Sequence, residues 1–202
     1  MGTSELPPLA LMTDDDRLSD PLGAARELPR GSMVVARSRD ASRLDELSRS
    51  LLKLARRRGF ALLIASDPLL ATRLGADGFH LPERRMGEAV HWRARFCDMT
   101  ITAAAHSLRA LWQAQSLPVD AIFLSPVFST ASHPDRAALT PIRANFMARC
   151  SSKPVYALGG IDAASARRLG NCFAGIASIG ALAVRSDLEL QMQETGVRRD
   201  IL

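Results

Sequence analysis

The sequence contains few aromatic residues, few cysteines and almost no lysine. Aromatic residues make up 5% of its 202 residues, and no basic segment alternates with them as in proteins that stack nucleic-acid bases. The three cysteines, Cys97, Cys150 and Cys172, lack the spacing of a metal site, which indicates reduced thiols. No apolar run approaches the roughly 20 residues that span a bilayer, and residues 1–8 do not resemble a secretory signal. We therefore expect a cytoplasmic protein without nucleic-acid or membrane partners.

The net charge of +5 comes from arginine, because all but Lys53 and Lys153 of the 26 basic residues are arginines. This excess is typical either of a genome that favours arginine codons or of a protein that attracts anions such as phosphates. Arg56, Arg57 and Arg58 close a segment of helical spacing, where cations complement the helix dipole. A solvated helix end explains this run better than a nucleic-acid site does.

Short apolar runs alternate with segments of helical spacing along the whole chain. Such runs are typical of strands buried on both faces of a parallel sheet. Eight strand–helix units in this length predict an α/β fold, a single (β/α)8 TIM barrel over residues 1–202 with 1–8 and 187–202 as terminal extensions. An open doubly wound sheet is the alternative if two of the runs are not strands. The runs are residues 9–12, 33–36, 60–65, 78–81, 99–104, 121–124, 155–158 and 175–179.

Five segments between these runs have the spacing or the end signals of helices. The clearest is 41–58, where Leu44, Leu47, Leu51 and Leu54 form one apolar stripe. The segment 68–74 carries proline in its first turn and is followed by Gly75, a residue typical of helix ends. The others are 86–96, 107–115 and 162–168.

In a TIM barrel the ligand binds where the strands end and the next loops begin. Gly159 and Gly160 lie between the seventh run and a helix start, and Gly180 follows the eighth run. Backbone amides in glycine turns of this kind can point at an anion, and the last two loops of TIM barrels often bind phosphate together. The glycines therefore predict a phosphate site, the alternative being two tight turns without a ligand.

Two arginines follow the second run. Arg37 and Arg39 alternate along the chain and would share one side of a strand, where two guanidinium groups can hold a diphosphate or a carboxylate. The alternative is a pair of surface ion pairs with Asp40 or Glu46.

Histidines follow several of the runs and are candidates for proton transfer near neutral pH. His106 comes after small alanines that leave room for a ligand, although it could instead cap the next helix. His80 ends a run and is expected to pack inside the barrel mouth. His133 lies in a long loop that either covers a ligand or is a plain surface loop.

Acidic side chains are scarce at the positions that follow the apolar runs. Asp67 and Glu83 are the only ones that we expect at the barrel mouth. Neither has an acidic partner at a spacing suited to magnesium, so no metal is predicted. Nucleophile elbows, Walker loops and dinucleotide fingerprints are not found either.

Four stretches together resemble the thiamin phosphate synthase and TenI family. Residues 34–40 resemble the family's VQLREKD, 74–81 its VGADGVHL, and 125–130 its GPIFPT. Residues 157–161 and 175–182 resemble its AIGGI and GVAVVSAI. The resemblance implies a (β/α)8 barrel that binds a thiazole phosphate. Synthases of the family join it to an aminopyrimidine diphosphate with the help of magnesium, whereas TenI-like members convert a thiazole carboxylate phosphate to its aromatic tautomer without a metal.

The resemblance also assigns roles to residues of this sequence. Arg37 matches an arginine near the pyrimidine diphosphate and Arg39 matches a lysine, while Thr130, Ser132 and His133 fall in a substrate loop of the pattern TxTK. The thiazole phosphate would be held by the backbone amides of Gly159, Gly160, Ile179 and Gly180.

The sequence departs from the family pattern at the positions where synthases of the family bind magnesium. The Asn-Asp pair after the third strand is Ala65 and Ser66 here, and the aspartate after the fourth strand is Arg85. The serine of an SxH element is Ala104, but His106 remains. An arginine in place of a metal ligand reverses the local charge and repels a divalent cation.

We therefore expect a TenI-like thiazole tautomerase that needs no cofactor and uses His106 to move a proton. One alternative is a divergent thiamin phosphate synthase, which would need Mg²⁺. Another is a non-catalytic barrel that binds or senses a phosphorylated ligand. In each case the partner is a small phosphorylated thiazole, and a homo-oligomer is compatible with all three.

Overall fold

In the computed structural model, residues 6–129 and 138–179 are described, and they form a closed barrel of eight parallel strands. Every strand pairs with its neighbours in the sequence, and β1 also pairs with β8, which closes the sheet. The closed barrel confirms the predicted fold, and the open-sheet alternative is wrong. The strands are β1 (Leu9–Met12), β2 (Met33–Ala36), β3 (Ala61–Ala65), β4 (Gly78–Leu81), β5 (Thr100–Ala105), β6 (Ala121–Leu124), β7 (Val155–Leu158) and β8 (Gly175–Ser178).

The strands bury both of their faces, which explains why they are apolar throughout. Alternate residues point inward and fill the barrel, and the intervening ones pack against the surrounding helices. Inside the barrel, Phe123 stacks on Tyr156 with their ring centroids 4.8 Å apart. The Tyr156 hydroxyl donates to the carbonyl of Pro7 at the lower end of the barrel, and burial raises the pKa of this phenol. These inward-facing side chains therefore fill the interior of the barrel at the end where Pro7 lies.

Helices connect the strands on the outside of the barrel. They are α1 (Pro21–Arg26), α2 (Ala41–Arg58), α3 (Pro68–Leu74), a 3₁₀ helix (Glu83–Glu88), α4 (Ala89–Arg95), α5 (Leu108–Gln115), α6 (Pro141–Arg149) and α7 (Ala163–Ala166). The bounds predicted for α2 and α3 are confirmed to the residue, because both ends are marked by local signals. Asp40 and Asp67 accept from backbone amides as N-caps, and Gly59 and Gly75 adopt positive φ at the C-caps.

The bounds of the remaining helices agree less closely with those predicted from the sequence. The segment 86–96 divides into the 3₁₀ helix and α4, and α7 is shorter than predicted. The sequence analysis missed α1 and α6. The apolar stripe of α6 is hard to recognise in the sequence because Ile142 and Phe146 are large apolar residues on its exposed side. The helix α1 is short and contains Gly23, a poor helix former. None of the described helices is both long and apolar enough to cross a membrane.

Several predicted residues lie outside the described part of the chain. They are Thr130, Ser132, His133, Gly180 and the terminal segment 187–202.

Candidate functional site at the barrel mouth

The turn after β7 has a backbone that only glycine adopts without strain. Gly159 and Gly160 have φ values of 95° and 65°. A Cβ atom on Gly160 would lie 2.6 Å from the carbonyl oxygen of Ser129 and 2.8 Å from the Cβ of Phe128. The second glycine is therefore required both by its conformation and by the closeness of the loop after β6.

The carbonyl groups of this turn are engaged with the protein. The amide of Phe128 donates to the carbonyl of Gly159, and the Ser165 hydroxyl donates to the carbonyl of Gly160. Within residues 6–129 and 138–179, no backbone carbonyl accepts from the amide of either glycine. Ile179 follows β8 directly and is half-buried against the barrel interior. The turn thus leaves amide donors at the mouth, as an anion site requires.

His106 follows β5 and is an exposed residue at the same end of the barrel. Its backbone amide donates to Oε2 of Glu83 across 2.6 Å, so Glu83 holds the main chain of this residue in place. The helix-cap alternative for His106 is wrong, because the N-cap of α5 is Ser107, whose hydroxyl accepts from the amide of Ala110. The His106 side chain is therefore not used to start the helix.

The Nδ1 atom of the His106 ring pairs with Ser125. Nδ1 lies 2.9 Å from the carbonyl oxygen of Ser125 and 3.0 Å from its hydroxyl oxygen. A carbonyl can only accept, so Nδ1 must carry the proton in this arrangement. In the neutral ring the lone pair is then on Nε2, where it can accept a proton.

His80 lies deeper, inside the barrel, as the sequence predicts. Its Nδ1 atom is 2.9 Å from the hydroxyl of Thr102, and its ring packs edge-on against Phe123. Burial lowers the pKa of His80 to about 3, and the charges of Arg37 and His106 add to this effect. His80 is thus a buried, neutral side chain below the mouth.

Arg37 is paired with a carboxylate that the sequence analysis did not consider. Its Nη1 atom donates to Oδ2 of Asp14 across 2.7 Å, and Asp14 also accepts from two nitrogens of Arg17. The hydrogen bonds from Arg17 in the first place, and from Arg37, hold the pKa of Asp14 well below its usual range. Arg37 is at the mouth as predicted, but it already holds one anionic group from the protein.

Arg39 also pairs with the loop after β1. Its guanidinium contacts Asp16, and its backbone amide donates to Asp15 across 2.8 Å. The alternative partners named above, Asp40 and Glu46, are wrong, since Asp40 caps α2. The expectation of only two acids at the mouth is also wrong. The signal that could have revealed them is the run of three aspartates, Asp14 to Asp16, which begins two residues after the end of the first apolar run.

The family's metal positions carry groups that do not fit a divalent cation. Ala65 has no ligand atom, and the carbonyl of Ser66 accepts from Nη1 of Arg85 across 2.7 Å. The same guanidinium makes two hydrogen bonds, 2.6 and 2.8 Å long, to the carboxylate of Glu88. Asp67 caps α3, so its carboxylate is also engaged. Among the described residues, no three or more His, Cys, Asp or Glu side chains are grouped so that they could hold a metal.

Comparison with known proteins agrees with this fold. A family model described as thiamine monophosphate synthase matches residues 11–182. The thiamine-phosphate synthase of Synechococcus sp. (strain CC9605) is 33% identical over 161 residues, which are 77% of this chain but only 44% of that protein. A relative from Aquifex aeolicus (strain VF5) that also carries thiamine-phosphate synthase in its name is 34% identical over 165 residues, 78% of this chain and 87% of its own length.

Solved structures share the barrel at low sequence identity. Thiamine phosphate pyrophosphorylase from Pyrococcus furiosus has a TM-score of 0.75 and 21% identity, with 95% of this chain and 94% of that chain covered. The aldolase QR15 has a TM-score of 0.64 and 11% identity, with 96% and 99% covered. These two likenesses show the fold alone. Because the family model covers most of the sequence and the Aquifex relative is matched over most of its length, the chain belongs to the thiamin phosphate synthase and TenI family of thiamin biosynthesis.

Proposed function

We propose that this protein is a metal-independent thiazole tautomerase, which binds a thiazole phosphate at the barrel mouth and moves a proton on it. The observation that carries the proposal is the pairing of the Nδ1 atom of His106 with the carbonyl of Ser125 at 2.9 Å. This pairing leaves the Nε2 lone pair of an exposed histidine at the mouth, as a proton-transfer group requires.

The chemistry needs only proton transfer. Nε2 of His106 accepts a proton from one position of the bound thiazole, and the imidazolium returns a proton to another position as the aromatic ring forms. One bond to hydrogen is broken and one is formed, so no oxidant, reductant or leaving group is involved. A single exposed histidine of fixed tautomer is sufficient for such a step.

The phosphate is assigned to the turn of Gly159 and Gly160, with Ile179 and Gly180 completing the site from the last strand. Support comes from the two positive φ values and from the amides that no described backbone carbonyl pairs with. Close approach of an anion to these amides needs the absence of side chains.

The absence of a metal requirement is part of the proposal and is supported by Arg85. Its guanidinium places positive charge where synthases of the family have an aspartate, and it already donates to Ser66. A divalent cation brought near would meet repulsion and no carboxylate from Ala65, Ser66 or Arg85.

Condensation with an aminopyrimidine diphosphate is the second candidate, because the relatives above carry the name of thiamine-phosphate synthase. Arg37 and Arg39 would then face the diphosphate. Both are already paired with aspartates in this structure, and Arg37 would have to exchange or share its contact with Asp14.

Two assays on the purified protein test the proposal. One follows aromatisation of the thiazole carboxylate phosphate in the presence of a chelator, and the other follows condensation in the presence of Mg²⁺. We expect aromatisation, and we expect His106→Asn to slow it by about 10² to 10⁴-fold, the usual contribution of an acid–base group. His91→Asn is the matched control, since His91 is an exposed histidine on α4 that contacts Trp92.

Two results would overturn the tautomerase assignment, and a third would overturn only the role of His106. Condensation without aromatisation would establish the synthase reading. Binding of the thiazole phosphate without either reaction would establish the non-catalytic reading. Equal rates for the His106→Asn variant and the parent would remove His106 from the mechanism.

A further inference from the structure

We propose that Ser125 is a positioning residue that holds the His106 ring in its Nδ1–H tautomer by offering it two acceptors. The tautomer follows from the distances between the two residues, and only its catalytic consequence rests on the proposed tautomerase function. Ser125 also stands where the family's GPIFPT stretch has glycine, so the hydroxyl is a feature of this chain.

Ser125 is built into the barrel and cannot easily move. It follows β6 directly, and its amide donates to the carbonyl of Ala105 across 3.0 Å, which continues the pairing of β5 with β6. Its relative exposure is 9%. The residue is therefore a fixed point beside His106, which itself follows Ala105.

Both oxygens of Ser125 face the same ring atom. The carbonyl oxygen is 2.9 Å and the hydroxyl oxygen 3.0 Å from Nδ1 of His106. Since the carbonyl has no proton, Nδ1 must be the donor, and the hydroxyl then accepts from the same N–H in a three-centre hydrogen bond. A ring turned by half a rotation would place a carbon atom against two acceptors and lose both contacts.

The main chain of His106 is held from the opposite side. Oε2 of Glu83 accepts its amide proton across 2.6 Å, so the backbone is tied to the loop after β4 while the ring is tied to the end of β6. The ring has little freedom left. Its Nε2 atom is consequently the proton acceptor in the neutral state, without a competing tautomer.

The hydroxyl also compensates for one that is missing from the neighbouring strand. The family's SxH element has a serine two residues before the histidine, where this chain has Ala104. Ala104 lies opposite Phe123 in the register of β5 and β6, and Ser125 follows Phe123 by two residues, on the same inward side. One polar group near His106 has thus been replaced by another from the adjacent strand.

The test uses nitrogen NMR of the whole protein at a pH where the ring is neutral. Signals of His106 are identified by their loss in His106→Asn. In the parent we expect a protonated Nδ1 and an unprotonated Nε2. Ser125→Ala keeps the carbonyl but removes the second acceptor, so the preference for the Nδ1–H tautomer is weakened and not abolished. We expect the signals of the two ring nitrogens to move part of the way toward an average of both tautomers. Ser125→Thr, which keeps the hydroxyl, should restore the parent pattern.

Kinetics provide the second measurement. Loss of one neutral hydrogen bond in the transition state corresponds to about a tenfold change in a rate constant. Ser125→Ala should therefore lower kcat by about tenfold and leave KM unchanged. Ser116→Ala is the control, because Ser116 lies at the far end of α5 and its hydroxyl donates to the carbonyl of Gln113. The fall should be smaller than that of His106→Asn, since the ring itself remains.

The two readouts separate this inference from the proposed function. A proton on Nε2 in the parent, or an unchanged ring pattern in Ser125→Ala, would overturn the positioning role even if the protein is a tautomerase. A fixed Nδ1–H tautomer whose preference is weakened in Ser125→Ala would sustain the positioning role even if no aromatisation is found. If Ser125→Ala fails to fold, Ser125→Thr and the parent still decide which nitrogen carries the proton.

Discussion

Arg85 donates to the main-chain carbonyl of Ser66 across 2.7 Å, so a guanidinium joins the loop after β3 to the 3₁₀ helix after β4. Family members that use magnesium have acidic ligands at these two places. A basic residue therefore replaces an acidic ligand in this corner of the mouth, and its charge is balanced by the carboxylate of Glu88. Because the residues at these two places are known, magnesium binding can be tested by changing them, without a substrate.

Restoring the acidic ligands should create a magnesium site. We expect Mg²⁺ to raise the Tm of a variant carrying Ala65→Asn, Ser66→Asp and Arg85→Asp, because a cation that binds only the folded state stabilises it. Ser66 has a φ of 64°, a conformation that aspartate tolerates better than most residues. Arg85→Ala is the control, since it removes the guanidinium without adding a ligand. A Tm increase with Mg²⁺ in the unaltered chain would contradict the expectation.

Asp14→Asn should destabilise the fold by about 2 kcal/mol at neutral pH, the usual effect of losing hydrogen bonds to a charged group. Asp14 is nearly buried and holds both Arg17 and Arg37. The pKa of Asp14 in the folded state lies below its value in the unfolded chain. Its carboxylate therefore adds to the free energy of unfolding above about pH 4, and this stabilisation is lost as the pH falls further. Urea unfolding at pH 7 and pH 3 measures both effects.

Asp16→Asn serves as the comparison for Asp14→Asn. Asp16 also pairs with an arginine, but 70% of its side chain is exposed, and exposed ion pairs contribute about 0–1 kcal/mol. An effect of Asp16→Asn as large as that of Asp14→Asn would show that burial does not distinguish the two carboxylates.

His80 should make the protein less stable as the pH falls below 6.5. Burial in the first place, and then the charges of Arg37 and His106, lower its pKa from 6.5 to about 3. Between these values the unfolded chain binds a proton that the folded chain does not, so stability is lost by up to about 1.4 kcal/mol per pH unit. The difference between the parent and His80→Gln, measured by urea unfolding from pH 7 to pH 4, isolates this slope. If the free energies of unfolding of the parent and of His80→Gln change equally with pH, His80 is not the source of this slope.

Gly160→Ala should weaken both the fold and phosphate binding. The added methyl group would lie 2.6 Å from the carbonyl oxygen of Ser129, in a backbone with a φ of 65°. Strain and overpacking of this kind cost about 1–3 kcal/mol each. Gly31→Ala is the matched control, because Gly31 has a φ of 76° but open space around it. Equal losses in the two variants, by thermal unfolding and by titration with inorganic phosphate, would show that the contact with Ser129 is unimportant.

The strands and two of the helices were predictable because their signals are local. Strands buried on both faces must be apolar throughout, and all eight apolar runs are strands whose ends differ from the predicted ones by at most one residue. Asp67 and Gly75 mark the ends of α3 in the sequence as they do in the structure. Ile142 and Phe146 show the opposite case, since their exposure hides the buried face of α6 from a pattern analysis.

The site was predicted in part. The glycine turn and the position of His106 follow from where the strands end, which the sequence shows directly. The partner of Arg37 was assigned wrongly, because Asp14 is 23 residues away and meets it only through the pairing of β1 with β2. Ser125 was not recognised as a partner of His106, because the contact depends on the register of β6 against β5.

The order of apolar runs and glycines along the sequence was by itself enough to predict eight strands and a barrel, since each of these features depends on neighbours along the chain. Tertiary structure alone decided the pairing of His106 with Ser125, the pairing of Arg37 with Asp14 and the contact of Arg85 with Ser66. Those three properties arise between groups that come from different strands, and their distances are set by how the barrel closes.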